Sequence, residues 1–166
     1  MKRLLLIRHA KSDWNDLSLS DFDRPLNDRG KNDAPVMANR LRDKKIDIDA
    51  IVSSPAKRAK KTASVFAKEL KMSKDDIIYM ESLYGAGADE FFNVIAEMSN
   101  KLDTVAIVSH NPGLTDFANQ LSTTRIDNIP TSAIFAIKID CKKWSEFRDS
   151  KKEFWFFDSP KGEKLE

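Results

Sequence analysis

The sequence predicts a single-domain α/β protein, a three-layer α/β/α sandwich whose mainly parallel sheet has an antiparallel edge near the C-terminus. Short apolar segments typical of strands alternate with amphipathic segments typical of helices as far as Leu121. Several of the strand segments are apolar along their whole length, as in parallel strands buried on both faces. After residue 121, two strand-like segments follow one another with no helical segment between them, and this arrangement favours an antiparallel pair.

The first predicted strand covers residues 3–8, because four consecutive large aliphatic residues lead directly into Arg8 and His9. The connection that follows, residues 10–27, is polar with scattered aromatic residues and has no clear period. Loops of this length inside a compact domain are usually functional or mobile. We therefore expect residues 10–27 to form one wall of a pocket.

A helix is predicted over residues 28–44, with Asn27 as its N-cap residue. Its apolar residues recur at helical spacing, which gives one buried stripe. That stripe consists of Ala34, Met37, Ala38 and Leu41. Pro35 conflicts with this prediction, since a proline inside a helix bends it or moves its start to a later residue.

The remaining elements follow in the same alternating order. A strand over residues 50–53 is followed by a helix that Ser54 would cap, with Pro55 at its first position and Arg58 in its first turn. Asn111 and Pro112 repeat this cap-then-proline pattern after another buried strand. The other predicted elements are strands at 77–80, 105–108, 133–139 and 153–157 and helices around 91–98 and 114–121.

Length and composition limit the function classes. The chain has 166 residues and 28 basic against 26 acidic residues, a net charge of +2 that gives no indication of nucleic-acid binding. The N-terminal apolar run ends at Ile7, too early for a signal peptide or a membrane span. The single cysteine, Cys141, fits a reducing cytoplasm. We expect one domain over residues 1–157 and a C-terminal tail over 158–166.

Polar residues follow three of the predicted strands. Arg8 and His9 end the first strand, Arg58 lies just after the second, and His110 follows the strand at 105–108. In a parallel sheet these ends share one edge, where ligands of open α/β sheets bind. The chain has only two histidines, and both lie at this edge. Together with two predicted helix N-termini they would form a cationic pocket suited to a phosphoryl group.

At these residues the sequence resembles the histidine phosphatase superfamily, which includes the cofactor-dependent phosphoglycerate mutases, and within it the short SixA-type phosphohistidine phosphatases. The matching segments are Arg8-His9-Ala10, where Arg-His-Gly is more usual, residues 54–62, residues 109–112, and residues 21–30. The resemblance implies that His9 is a phosphorylated nucleophile and that Arg8, Arg58 and His110 bind the phosphoryl group. Asn15 lies where larger members carry an asparagine that contacts phosphate.

The expected chemistry agrees with these assignments. The positive charges of Arg8 and Arg58 should hold the pKa of His9 below its usual value of ~6.5, so that one ring nitrogen is free to attack phosphorus. His110 is expected to act protonated, as a donor to a phosphoryl oxygen. Larger members have a carboxylic acid that protonates an alcohol leaving group; Glu81 is the candidate here. Without such an acid, an imidazole leaving from a P–N bond fits best.

The predicted function is therefore hydrolysis of phosphohistidine in proteins. A small-molecule phosphomonoesterase of the same superfamily and an inactive phosphate-binding module are the alternatives. We expect no cofactor, and no metal, because two histidines without a cysteine pair give no recognisable ligand set. The expected partner is a phosphorylated protein or a small phosphate ester, with neither nucleic acid nor membrane, and the sequence does not fix an oligomeric state.

Overall fold

The protein is described by a computed structural model that covers residues 1–163 and 165. Its regular elements alternate along the chain in the order that the sequence predicts. The strands are β1 Lys2–Arg8, β2 Ala50–Ser53, β3 Ile77–Tyr79, β4 Thr104–Ser109, β5 Ile134–Ile139 and β6 Lys152–Asp158. The helices are α1 Asp28–Asp43, α2 Lys57–Glu69, α3 Ala88–Ala96 and α4 Gly113–Ala118.

The six strands form one sheet in the order β3-β2-β4-β1-β5-β6. The pairs β2–β3, β2–β4 and β1–β4 are parallel, whereas β5 pairs antiparallel with both β1 and β6. The predicted fold class, a mainly parallel sheet with an antiparallel C-terminal edge, is therefore confirmed.

Two hydrophobic cores cover the two faces of this sheet. Leu4 and Leu6 of β1 face one core with α3 and α4, and Leu5 and Ile7 face the other with α1 and α2. Because successive residues of a strand point to opposite faces, the uninterrupted apolar run of β1 supplies both cores. A strand buried in this way holds its C-terminal residues in a fixed position.

Helix α1 begins as predicted, whereas α2 and α4 begin later than the cap-then-proline pattern predicts. Asn27 Oδ1 accepts a hydrogen bond from the backbone N–H of Gly30, and Pro35 lies inside α1 without delaying its start. Helix α2 begins at Lys57 rather than Pro55, with Ala56 as its N-cap residue; the Ser54 hydroxyl accepts from the Ala56 backbone N–H at 3.3 Å and lies 2.7 Å from His110 Nε2.

Helix α4 also begins later than predicted. It starts at Gly113 and ends at Ala118, so it is only six residues long. Asn111 caps it from a distance, since Asn111 Oδ1 accepts from the Thr115 backbone N–H at 3.1 Å and from its hydroxyl at 2.7 Å. The predicted positive helix end beside His110 is therefore weak, because a helix of six residues aligns few peptide dipoles.

The C-terminal part packs more closely than its composition suggests. The polar connection between β5 and β6 contributes two buried aromatic residues, Trp144 and Phe147. Within the predicted tail, the guanidinium of Arg40 donates to Asp158 Oδ1, to the Ser159 carbonyl and to the Pro160 carbonyl. Residues 164 and 166 of that tail lie outside the described residues. In the part of the chain that the structure describes, no helix is both long and apolar enough to span a bilayer.

Candidate active site

The register of the sheet brings three strand ends together. Arg8 lies opposite Ser109 in the parallel β1–β4 pair, and Ser53 lies opposite Val108 in the β2–β4 pair. The His9 backbone N–H continues this ladder by donating to the Ser109 carbonyl at 3.1 Å. The residues that follow β1, β2 and β4 therefore meet at one edge, as the parallel topology predicts.

His9 lies at the base of this cluster and is 7% exposed. Its Nδ1 is 2.7 Å from the Ala10 carbonyl, which can only accept, so Nδ1 carries the ring proton and Nε2 is unprotonated. Burial lowers the pKa of His9 to about 3, with smaller contributions from the positive charges of His110, Arg58 and Arg8. The direction agrees with the sequence-based expectation, but burial, rather than the arginines, is the main cause. His9 is neutral at pH 7, as a nitrogen nucleophile must be.

Arg58 joins His9 to the long loop. From the first turn of α2 its Nε donates towards His9 Nε2 at 3.4 Å. The other two guanidinium nitrogens donate to Asp21, NH1 to the backbone carbonyl at 2.6 Å and NH2 to Oδ2 at 3.0 Å. A guanidinium held on two sides by one residue has a fixed plane, so its Nε remains directed at the His9 ring.

Arg8 supplies a second guanidinium. Its NH1 donates to the Ile129 carbonyl at 3.0 Å, and its buried Nε has no hydrogen-bond partner among the described residues. Burial lowers the pKa of Arg8, and the positive charge of the nearby Arg58 lowers it further. Two positive side chains held this close repel one another. An anion bound between Arg8 and Arg58 would relieve that repulsion.

His110 faces His9 across the cluster, with 5.0 Å between the ring centroids. Its Nε2 is 2.7 Å from the Ser54 hydroxyl oxygen, and its buried Nδ1 has no partner among the described residues. Burial, followed by the charge of Arg58, lowers the pKa of His110 to about 4. The structure thus favours a neutral His110 at pH 7, in contrast to the protonated form expected from the sequence. A bound phosphoryl dianion would raise its pKa again.

Asp21 and Tyr84 also belong to the site, although the sequence analysis did not assign them. The Tyr84 hydroxyl donates to Asp21 Oδ2 at 2.7 Å, and the Tyr84 ring stands edge-on to His110 with centroids 5.6 Å apart. The Tyr84 hydrogen bond and Arg58 hold the pKa of Asp21 below its usual value, and the bond to Asp21 raises the pKa of Tyr84. Asp21 lies in the segment 21–30 that matched the SixA-type pattern, which was the one available signal.

Two neighbouring residues, Thr62 and Ser109, hold the segments around the two histidines. The Thr62 hydroxyl accepts from the Ala10 backbone N–H at 2.9 Å and donates to the Arg58 carbonyl at 2.7 Å. Ser109 Oγ donates to the Leu83 carbonyl at 2.8 Å and so ties β4 to the segment that carries Tyr84. These bonds link the segments that hold the two histidines and Arg58.

The structure does not bring Asn15 and Glu81 into the cluster. Both are exposed. Asn15 donates its backbone N–H to Asp13 Oδ1, and its side chain makes no hydrogen bond to the other described residues. Glu81 begins the short 3₁₀ helix Glu81–Leu83, and within the described residues its carboxylate has neither a hydrogen bond nor an ion pair.

The cluster combines a neutral imidazole with an unprotonated nitrogen, two guanidiniums and a second imidazole. Such a set can bind a tetrahedral or trigonal oxyanion and can attack its central atom. Over residues 1–163 and 165, no three side chains of the types His, Cys, Asp or Glu are grouped so that they could hold a metal ion.

Comparison with known proteins gives relatives of one kind. Residues 4–85 match the family model of the histidine phosphatase superfamily, branch 1. An uncharacterised chloroplastic protein of Arabidopsis thaliana is 34% identical over 133 residues, 75% of this chain, and the match covers 61% of that relative's length. Phosphoserine phosphatase 1 of Hydrogenobacter thermophilus is 39% identical over 82 residues, 47% of this chain and 38% of the relative.

Solved structures share the fold over nearly the whole chain. The SixA protein of Agrobacterium tumefaciens, described as a candidate phosphohistidine phosphatase, superimposes with a TM-score of 0.77 at 25% identity and covers 94% of this chain and 97% of its own. A protein histidine phosphatase SixA in complex with tungstate gives a TM-score of 0.81 at 22% identity, with 95% of this chain and 97% of its own covered.

Proposed function

This chain belongs to the histidine phosphatase superfamily, and from that premise we propose that it is a phosphatase that works through a covalent phosphohistidine on His9. The observation that carries the proposal is the state of the His9 ring. Its Nδ1–H is bonded to a backbone carbonyl, its Nε2 is unprotonated, and the Arg58 guanidinium Nε donates towards that nitrogen at 3.4 Å. A phosphoryl group bonded to Nε2 would be in contact with this guanidinium.

The reaction has two steps. His9 Nε2 attacks phosphorus in line, the bond from phosphorus to the leaving group breaks, and its electron pair stays with the leaving group. Water then attacks the phosphorus of the phosphohistidine, which releases inorganic phosphate and returns neutral His9. Arg8 and Arg58 hold the phosphoryl oxygens in both steps. The neutral His110 ring has one N–H, which donates a hydrogen bond to a phosphoryl oxygen. Each placed donor of this kind is typically worth ~10²–10³ in rate.

The leaving group decides the substrate class. Asp21 is the carboxylate bonded into the cluster, and its lowered pKa keeps it ionised at neutral pH, so it has no proton to give. Glu81 remains the candidate general acid only if substrate binding brings it closer. A phosphorylated imidazole can leave neutral when its second nitrogen is protonated, near pH ~6.5. This supports phosphohistidine in a protein as the substrate, with Asn15 of the long loop as a proposed contact.

A small phosphate ester is the second candidate substrate. The similarity to a phosphoserine phosphatase of Hydrogenobacter thermophilus favours it, since that relative is named for an alkyl phosphate. An alkoxide leaving group needs an acid, so this alternative requires Glu81, or another group, to reach the leaving oxygen. We place the protein in the cytoplasm because its single cysteine fits a reducing compartment.

A side-by-side substrate panel tests the proposal. Purified protein is incubated with a phosphohistidine-bearing protein, a phosphoserine peptide, a sugar phosphate and para-nitrophenyl phosphate, and phosphate release is measured for the parent and for His9→Ala. We expect the phosphohistidine protein to be hydrolysed faster than the two alkyl phosphates, and no activity of His9→Ala above background. Equal rates on alkyl phosphates would favour the small-ester alternative. Unchanged activity of His9→Ala would remove His9 as nucleophile.

A further inference from the structure

The rim of the site differs in character from its base. His9 and Arg58 at the base are each 7% exposed, whereas the Asp21 side chain is half exposed. Phe22 and Tyr84, both partly exposed, stand edge-on to one another beside this carboxylate, with ring centroids 5.2 Å apart. Because the phosphoryl group must reach His9 at the base, the leaving group that is attached to it has to lie against this rim.

The Asp21 carboxylate has hydrogen-bonding capacity to spare. Its Oδ2 accepts from Arg58 NH2 and from the Tyr84 hydroxyl, while its Oδ1 accepts no hydrogen bond from the residues that the structure describes. An ionised carboxylate offers about four acceptor sites. The Tyr84 hydroxyl proton is already engaged by Asp21. The rim therefore presents an acceptor with negative charge and two aromatic edges, and it presents no acidic donor to a leaving oxygen.

We propose that Asp21, Tyr84 and Phe22 form a leaving-group subsite that selects a protonated nitrogen heterocycle over an oxygen leaving group. The proposal rests on the phosphatase function proposed above and deepens it. As His9 Nε2 forms its bond to phosphorus, the P–N bond breaks and its electron pair goes to the ring nitrogen of the substrate. The ring keeps the proton on its other nitrogen and departs as neutral imidazole, and Asp21 Oδ1 accepts a hydrogen bond from that N–H.

The same carboxylate disfavours oxygen esters. When a P–O bond breaks without an acid, the leaving oxygen becomes negative, and a fixed carboxylate beside it raises the energy of that state. An aromatic pair flanking a carboxylate is, in addition, a favourable environment for a flat cationic ring. The charge of Asp21 thus acts in opposite directions on the two substrate classes.

Asp21→Asn isolates this charge. The Arg58 NH1 bond to the residue 21 backbone carbonyl does not depend on the side chain, and the amide oxygen of asparagine can still accept from Arg58 and Tyr84. Arg58 therefore keeps its orientation in this variant. Asp23→Asn is the matched control, since Asp23 lies on the same 3₁₀ turn and is bonded to Ser20 Oγ instead of to the site.

The experiment compares kcat/KM for phosphoimidazole and for para-nitrophenyl phosphate in the parent and both variants, with thermal melts to check folding. We expect Asp21→Asn to lose about 10- to 100-fold on phosphoimidazole, the range for one charged hydrogen bond. Its kcat/KM on para-nitrophenyl phosphate should fall by a smaller factor, so that the ratio of the two kcat/KM values shifts by about 10-fold towards para-nitrophenyl phosphate. In Asp23→Asn the ratio of the two kcat/KM values should match the parent.

Two results would overturn the subsite. Parallel losses on both substrates would mean that Asp21 only positions Arg58, and a larger loss on para-nitrophenyl phosphate would make Asp21 a general acid. Neither result would mean that the proposed phosphatase function fails, because His9→Ala would be inactive in both cases. Retained hydrolysis by His9→Ala would instead reject the phosphatase mechanism itself.

Discussion

The two histidines of the site are buried without carboxylate partners on their rings, and this makes the stability of the protein depend on pH. Both rings are neutral in the folded protein, because burial lowers the pKa of His9 to about 3 and that of His110 to about 4. In the unfolded chain each ring titrates near its ordinary pKa of ~6.5. Between these values the unfolded chain binds protons that the folded protein does not bind. Stability is therefore lost as pH falls below 6.5, and the His9 contribution to this loss continues to about pH 3.

The size of the effect follows from the width of that window. An imidazole that takes up a proton only in the unfolded chain destabilises the fold by about 1.4 kcal/mol for each pH unit below 6.5. At pH 5, roughly 1.5 units below 6.5, the loss is about 2 kcal/mol. His9 and His110 together account for about 4 kcal/mol. At pH 7.5 both contributions vanish, because the unfolded rings are then neutral as well. His9→Gln should therefore lose about 2 kcal/mol less than the parent between pH 7.5 and pH 5.

Urea unfolding at the two pH values, followed by circular dichroism, measures this difference. Comparing pH-induced losses, and not absolute stabilities, cancels the packing cost of the substitution. Since the chain contains only two histidines, the Cε1–H signals of the imidazoles in an NMR titration give both pKa values directly. Equal losses in the parent and in His9→Gln, with imidazole pKa values near 6.5, would refute the argument that burial keeps His9 neutral.

Four further substitutions test particular features of the structure. Arg58→Lys removes the planar fork that joins His9 to Asp21, and we expect kcat on para-nitrophenyl phosphate to fall by ~10²–10³ while circular dichroism remains unchanged. Thr62→Val breaks the bonds to the Ala10 N–H and the Arg58 carbonyl, so urea unfolding should show a loss of about 1–3 kcal/mol; an unchanged midpoint would contradict this. Gly113→Ala places a methyl group against the Ala86 carbonyl, and it should cost about 1–3 kcal/mol. Gly162→Ala has open space around its Cβ but a φ of +72°, so it tests the effect of backbone conformation alone.

The meeting of Arg8, His9, Arg58 and His110 could be predicted from the sequence for a topological reason. The strands that precede them are apolar throughout, which indicates a parallel sheet buried on both faces, and a parallel sheet places all C-terminal strand ends at one edge. The structure places β1 beside β4 and β4 beside β2, so that these ends are neighbours. Their distances and the dominant role of burial in the pKa of His9 could not be predicted, since both depend on tertiary packing.

Residues in connections were harder to predict. Asp21 and Tyr84 lie in segments without hydrophobic period, where nothing in the spacing indicates which side chain turns inwards. The start of α2 was predicted too early because a serine before a proline is typical of a helix cap, whereas Ala56 is the N-cap residue and Ser54 accepts from the Ala56 backbone N–H before the helix begins. The Ser54 hydroxyl also contacts His110, 56 positions away in the chain, and local sequence patterns carry no information on that contact.

Trapping the covalent intermediate tests the central claim most directly. The protein is mixed with phosphoimidazole, quenched within milliseconds in alkali, where phosphohistidine is stable and phosphoserine is lost, and digested for mass spectrometry. The mechanism predicts a single phosphate on the peptide that contains His9, labile to acid and absent from His9→Ala, and the same adduct at a lower level in His110→Ala. Multiple turnovers with no phosphate on that peptide, or with the phosphate on His110, would contradict it.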